Sequence, residues 1–167
     1  VPPLTLLGLY APGAGCLQIP WLEGQHYVLR DRERDEARQW VQALVLDYAG
    51  QWVAHNWPAD WPVLQHNLGV EVPWDQLDDT MLMHAVLHCE LAHDLGTLAR
   101  QYSPYGAHKL LRDQDEMKYN RGDLLATAAA YEAIISGEKI RSQNIPASFH
   151  VLVNELKGLA LAVDLKG

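Results

Sequence analysis

The sequence predicts a single α/β domain, and three observations carry that prediction. Short apolar runs alternate with longer stretches of helical periodicity, the order an α/β protein requires. A length of 167 residues supplies one sizeable core. Apolar residues at 49% and charged residues at 20% are ordinary for a globular chain and argue against disorder. Residues 1–167 are therefore read as one domain.

The elements follow in order. Residues 4–10 and 16–21 are apolar runs broken by Ala11-Pro12-Gly13-Ala14-Gly15, which reads as a β-hairpin. Gly13-x-Gly15 has no third glycine and no helix after it, so it is turn chemistry and not a nucleotide fingerprint. Residues 31–48 are the clearest helix: a charged start gives way to Ala37, Trp40, Val41, Leu44 and Val45 at helical spacing, and Gly50 ends it. Residues 51–55 read as a short buried strand and 57–68 as a helix with Pro58 near its start. Further helices are expected at 78–88 and 91–102, then a loop at 103–109 and a long, alanine-rich helix at 116–136. Residues 137–146 are polar and irregular, the best linker in the chain. Ser148 then caps a helix through 156, and 159–165 is a compact apolar strand containing Asp164.

Charge narrows the function classes. Lys plus Arg number 13 against 21 Asp plus Glu, a formal net charge of −8. A protein that grips duplex DNA through a basic surface is excluded, because displacing counterions takes many Lys and Arg. An enzyme that holds a few nucleotides and lets metal ions bring the positive charge is not. No apolar run approaches the ~20 residues of a membrane span, and no basic-then-apolar leader is visible, so a cytoplasmic setting is expected. Cys16 and Cys89 belong to no C-x-x-C pair and read as reduced thiols.

Three carboxylates sit where folds put chemistry. Asp60 lies in the first turn of a helix, just after the strand ending at Ala54-His55-Asn56. Asp123 stands mid-helix, four residues after Tyr119 and so on the same face. Asp164 ends an apolar strand, where a lone carboxylate is costly unless paired or metal-bound. Each alone reads as structural; together they suit phosphodiester chemistry, in which two divalent ions about 4 Å apart activate water and stabilise the leaving oxygen. Hard cations prefer such oxygens to the scattered histidines.

These residues resemble the DEDD 3′–5′ exonucleases. Ala54-His55-Asn56-Trp57-Pro58-Ala59-Asp60 is similar to the second motif of that superfamily, H-N-x-x-x-D. Tyr119-Asn120-Arg121-Gly122-Asp123, followed by Thr127 and Tyr131, is similar to the third motif, Y-x-x-x-D, of the tyrosine-bearing (DEDDy) branch. Between them, Asp79-Thr80-Met81-Leu82 and the stretch from Leu91 to Ala99 resemble the helices that link those motifs in proofreading domains of family A DNA polymerases, bacterial and phage ones among them. The resemblance implies a ribonuclease H-like mixed central sheet flanked by helices. It also implies two Mg²⁺ or Mn²⁺ ions held by Asp60, Asp123 and Asp164, and an attacking water oriented by Tyr119. A single-stranded DNA 3′ end is the implied substrate and a DNA polymerase module the implied partner, with His55, Asn56 and Trp57 as candidate nucleic-acid contacts. Packing is the stronger reading of Trp57, beside base stacking.

In that family a D-x-E strand precedes the second motif. Here the only similar segment is C-terminal: a helix followed by Leu159-Ala160-Leu161-Ala162-Val163-Asp164. The resemblance therefore implies a circular permutation, which closely placed termini make easy. The family's second carboxylate is replaced, since the segment reads Asp164-Leu165-Lys166, and an ammonium cannot ligate a cation.

Rival readings exist for other residues. His108 and Asp113 have the spacing of the histidine branch's third motif, but Tyr119 and Asp123 lie on the helix that matches further on. His84 and His88, four apart without the Glu of H-E-x-x-H, read as packing or surface histidines. Two functions of different class emerge: an active 3′–5′ exonuclease, favoured by Asp60, Tyr119 and Asp123, or a weakened relative that binds single strands or a polymerase, favoured by Lys166.

Overall fold

In the computed structural model, residues 1–103 and 114–137 are described. The loop after Ser103 with His108 and Asp113, the linker after Gly137, the helix at 148–156 and the strand at 159–165 with Asp164 and Lys166 lie outside the described residues.

The first apolar break makes the expected hairpin. Strands β1 (Leu6–Ala11) and β2 (Gly15–Pro20) pair antiparallel, with Leu7 opposite Ile19 and Tyr10 opposite Cys16. Gly13 and Gly15 take φ of 81° and 98°, a left-handed backbone that side chains disfavour. A second, smaller hairpin follows, β3 (Leu22–Glu23) with β4 (His26–Tyr27), too short to leave a period in the sequence.

Helix α1 (Asp31–Asp47) begins where the Arg30 amide donates to the Glu33 carboxylate at 2.8 Å, half of a capping box. Its Val41 and Val45 are buried, while the charged start is solvated. Strand β5 (Trp52–Ala54) then leads into α2 (Trp57–Leu68), which ends at Gly69 in left-handed conformation. After a 3₁₀ turn (Trp74–Gln76), strand β6 (Leu77–Asp79) pairs parallel with β5, Ala54 facing Asp79. Parallel strands need a crossover, and α2 provides it.

Helices α3 (Thr80–Leu87) and α4 (Leu95–Tyr102) are shorter than the periodicity predicts. Each starts where an aspartate caps it: the Met81 amide donates to Asp79 at 2.9 Å, and the Thr97 amide donates to Asp94 at 3.0 Å. The predicted helices at 78–88 and 91–102 therefore begin later than expected. Residues 77–79 are strand, which a three-residue apolar–acidic run could not reveal.

Helix α5 (Glu116–Ile135), the longest among the described residues, packs against α3, α4, β1, β2 and β5. Gly122, Ala126, Ala130 and Ala133 are its buried positions, so small residues let neighbours approach closely. Leu98 and Tyr102 of α4 pack on Ala130 and Ala133 as one core. The other core gathers Leu4, Leu7, Trp21, Val41, Val45, Trp57, Leu68, Val70 and Val72.

The start of α5 is pinned to the hairpin. The Gln18 side-chain amide donates to the Met117 carbonyl at 2.7 Å and to the Asn120 side-chain oxygen at 2.9 Å. Gly8 lies under that same Asn120 oxygen, with no room for a Cβ. Gly8→Ala is expected to displace Asn120, break its bond to Gln18 and cost about 1 kcal/mol. Thermal unfolding of Gly8→Ala beside Gly8→Ala/Asn120→Ala checks this; truncating Asn120 should make the alanine tolerable.

The α/β class is what the sequence predicts. Within the described residues the strands form three two-stranded sheets, one of them parallel. The continuous mixed sheet of the expectation is not formed by these residues, which lack the expected first strand at 159–165.

Candidate active site

The site is built at the carboxyl ends of β5 and β6. The chain leaves β5 through His55 and Asn56, and Asn56 adopts a left-handed φ of 62°, the sole non-glycine among the described residues to do so. That conformation turns the backbone sharply into α2 and aims the Asn56 and Trp57 amides at β6. There they meet Asp79, which is buried at 8% exposure. Its Oδ1 accepts from the Asn56 amide at 3.0 Å and its Oδ2 from the Trp57 amide at 2.8 Å. With the Met81 cap, three backbone donors converge on one carboxylate, which offsets the cost of burying it.

The neighbouring residue completes the junction. Thr80 is fully buried, and its hydroxyl donates to the Ala54 carbonyl at 3.0 Å. His55 Nδ1 lies 3.0 Å from the same hydroxyl oxygen. Because the Thr80 proton is committed to Ala54, His55 must donate from Nδ1, which sets its tautomer.

Asp60 stands in the first turn of α2, and its residue surface is exposed. Its carboxyl is nonetheless pushed above the ordinary range, first by desolvation among neighbouring atoms, then by the negative charges of Asp79 and Asp123. The fold thus brings Asp60 and Asp123 into one electrostatic neighbourhood, although they come from different helices. Tyr119 and Asp123 stand one turn apart on α5, both half-buried.

The negative charges of Asp79 and Asp123 help to raise the proton affinity of Asp60, and a hard divalent cation held through oxygen ligands would offset that repulsion. Asp60 and Asp123 could hold one; Asp79 is poorly suited, since three amide bonds occupy most of its lone pairs. Among the described residues no three His, Cys, Asp or Glu side chains make a complete ligand set, and Asp164 lies beyond them.

Other candidates separate clearly. The Trp57 ring belongs to the larger core at 7% exposure, the packing position that was the stronger reading. His84 is fully buried, with its Nδ1 2.8 Å from His93 Nδ1. His93 was missed because it lies outside the helix that carries His84 and His88. Asp79 is not among the candidate site residues either: the sequence places it in a linking helix similar to the family's, though an Asp-Thr step before an apolar run is also a capping signal.

Burial lowers the His84 pKa, and the neighbouring His88 and His93 lower it further, outweighing Gln101 and Glu90. A histidine kept neutral in the fold stabilises it fully above its unfolded pKa near 6.5, and that contribution is lost as pH falls below this. Urea unfolding at pH 7.5 and 5.0 should therefore show a smaller loss on acidification for His84→Gln than for the parent. An equal loss in both would remove His84 as the cause.

Residues 15–132 match the 3′–5′ exonuclease family, the proofreading-type domain of the DEDD superfamily. The chain belongs to that family. The matched stretch carries Asp60, Asp79, Tyr119 and Asp123, and Asp164 falls beyond it. The exonuclease family acts on DNA and is generally dependent on divalent metal. Local similarity also links the chain to the DNA-directed RNA polymerase subunit beta of Cytophaga hutchinsonii, 43% identical over 61 residues, and of Lactococcus lactis subsp. cremoris, 44% over 62. Those matches cover 36% and 37% of this chain and 5% of each relative's length. No solved structure matches. Among the described residues of the exonuclease domain, no helix is long and apolar enough to cross a membrane.

Proposed function

We propose that this exonuclease-family domain removes nucleotides from a DNA 3′ end by metal-dependent phosphodiester hydrolysis, as a proofreading module does. The observation that carries the reading is the family match over residues 15–132, which spans Asp60, Tyr119 and Asp123, with the charge of Asp123 on α5 acting on Asp60 of α2 beside it. Asp60, Asp123 and Asp164 are the ligands proposed for Mg²⁺ or Mn²⁺. Two such ions, when bound, supply Lewis acidity and neutralise charge on the scissile phosphate. Tyr119, on the same face of α5 as Asp123, is proposed to orient the attacking water, and His55 and Asn56 to contact the terminal nucleotides. A ribonuclease H-like sheet completed by 159–165, a circularly permuted chain order and a polymerase partner belong to the same proposal.

The test is shortening of end-labelled single-stranded DNA with Mg²⁺, with Mn²⁺ and with chelator. Metal-dependent loss of 3′ nucleotides supports the proposal; no shortening under any condition sinks it in favour of the weakened binding domain. Lys166 is the residue that favours this second reading. Lys166→Glu restores the carboxylate of the family's D-x-E segment and is expected to raise the initial rate across a Mg²⁺ titration. Equal rates for parent and variant would show that Lys166 does not stand at the missing ligand position.

A further inference from the structure

Strand β6 ends in two consecutive aspartates, and each holds a different helix of the candidate site. Neighbouring strand residues point to opposite sides, so Asp78 and Asp79 face apart. Asp79 takes the Asn56 and Trp57 amides, which open α2 immediately before Asp60. Asp78 Oδ2 accepts from the Tyr131 hydroxyl of α5 at 3.0 Å. Tyr131 lies about two turns beyond Asp123 on the same side of that helix.

We propose that Asp78 and Asp79 are positioning residues, a two-sided clamp that fixes the separation between Asp60 on α2 and Asp123 on α5. The proposal rests on the exonuclease reading and deepens it. A rigid clamp matters because a misplacement near 1 Å in such a site costs on the order of a hundredfold in rate. Both halves are built to persist. Asp79 is buried with three amide donors, and burial together with Asp78 raises the Tyr131 phenol above its usual range, so it remains a donor. The clamp residues touch neither substrate nor reacting atoms in this account; they act through the helices.

Conservative variants test it: Asp79→Asn, Asp78→Asn, Tyr131→Phe and the double variant Asp78→Asn/Tyr131→Phe. Each single change is expected to lower kcat and raise the Mg²⁺ needed for half-maximal rate, by on the order of tenfold, with KM for single-stranded DNA unchanged. The double variant should be no worse than either single one, as expected for two ends of one bond. A geometric readout is independent of activity. Spin labels at Gln65 on α2 and Glu132 on α5, in a Cys16→Ser/Cys89→Ser background, report the separation of the helices. Broadened distance distributions in Tyr131→Phe and Asp79→Asn support the clamp, and unchanged distributions overturn it whatever the rates do. Lowered melting temperature with unaltered kcat and Mg²⁺ dependence would reduce both residues to fold stabilisers and overturn it as well. An inactive parent whose variants still broaden would overturn the exonuclease reading and leave the clamp standing.

Discussion

Asp123→Ala is expected to abolish metal-dependent shortening of a DNA 3′ end, a fall of at least about a hundredfold in kcat. The size follows from how few carboxylates share the work. Asp60 and Asp123 already sense one another across two helices, and Asp79 is committed to backbone amides. Removing Asp123 takes away the carboxylate on α5 that acts on Asp60 and is proposed to share the cation with it. The check is the initial rate with end-labelled single-stranded DNA across a Mg²⁺ titration, beside a melting curve. Retained activity at a preserved melting temperature would remove Asp123 from the proposed machinery.

Asp79→Ala should instead strike the fold, with a loss of about 3 kcal/mol or more in unfolding free energy. Three amides, of Asn56, Trp57 and Met81, lose a charged acceptor together, and a buried donor without a partner costs about 1–3 kcal/mol. The left-handed Asn56 adds to the sensitivity, since that conformation persists only where its surroundings hold it. For a chain of this length, the loss corresponds to a fall in melting temperature of roughly 6–12 °C. Asp79→Asn, which keeps one oxygen acceptor, should lose visibly less. A shift below one or two degrees for the alanine variant would mean that water replaces the carboxylate at no cost.

The legibility of this protein in its sequence divides by the range of the interaction. The hairpin at β1 and β2 was readable because Pro12, Gly13 and Gly15 mark a turn locally. Helices α1, α2 and α5 were readable because each is long enough to display periodicity or a chain-breaking end. Strand β6 was not: Leu77–Asp79 is strand because β5 lies beside it, and Asp78-Asp79 alone looks like solvated charge. The late start of α4 was missed for a similar reason, since Leu91 continues the apolar pattern while Asp94 takes the cap.

The candidate site divides the same way. By itself the sequence determined the residue types and spacings, His55-Asn56 with Asp60 and Tyr119 with Asp123, because motif spacing within one helix or turn is a local property of the chain. Only the tertiary structure decided that Asp60 and Asp123 share an electrostatic neighbourhood, that Trp57 is core, that His84 meets His93, and that Asp78 and Asp79 tie the two helices together. The physical reason is that a carboxylate's role depends on what the fold brings to its oxygens. On Asp79 two of those partners, the Asn56 and Trp57 amides, come from the end of the neighbouring strand, and no periodicity along the chain records them.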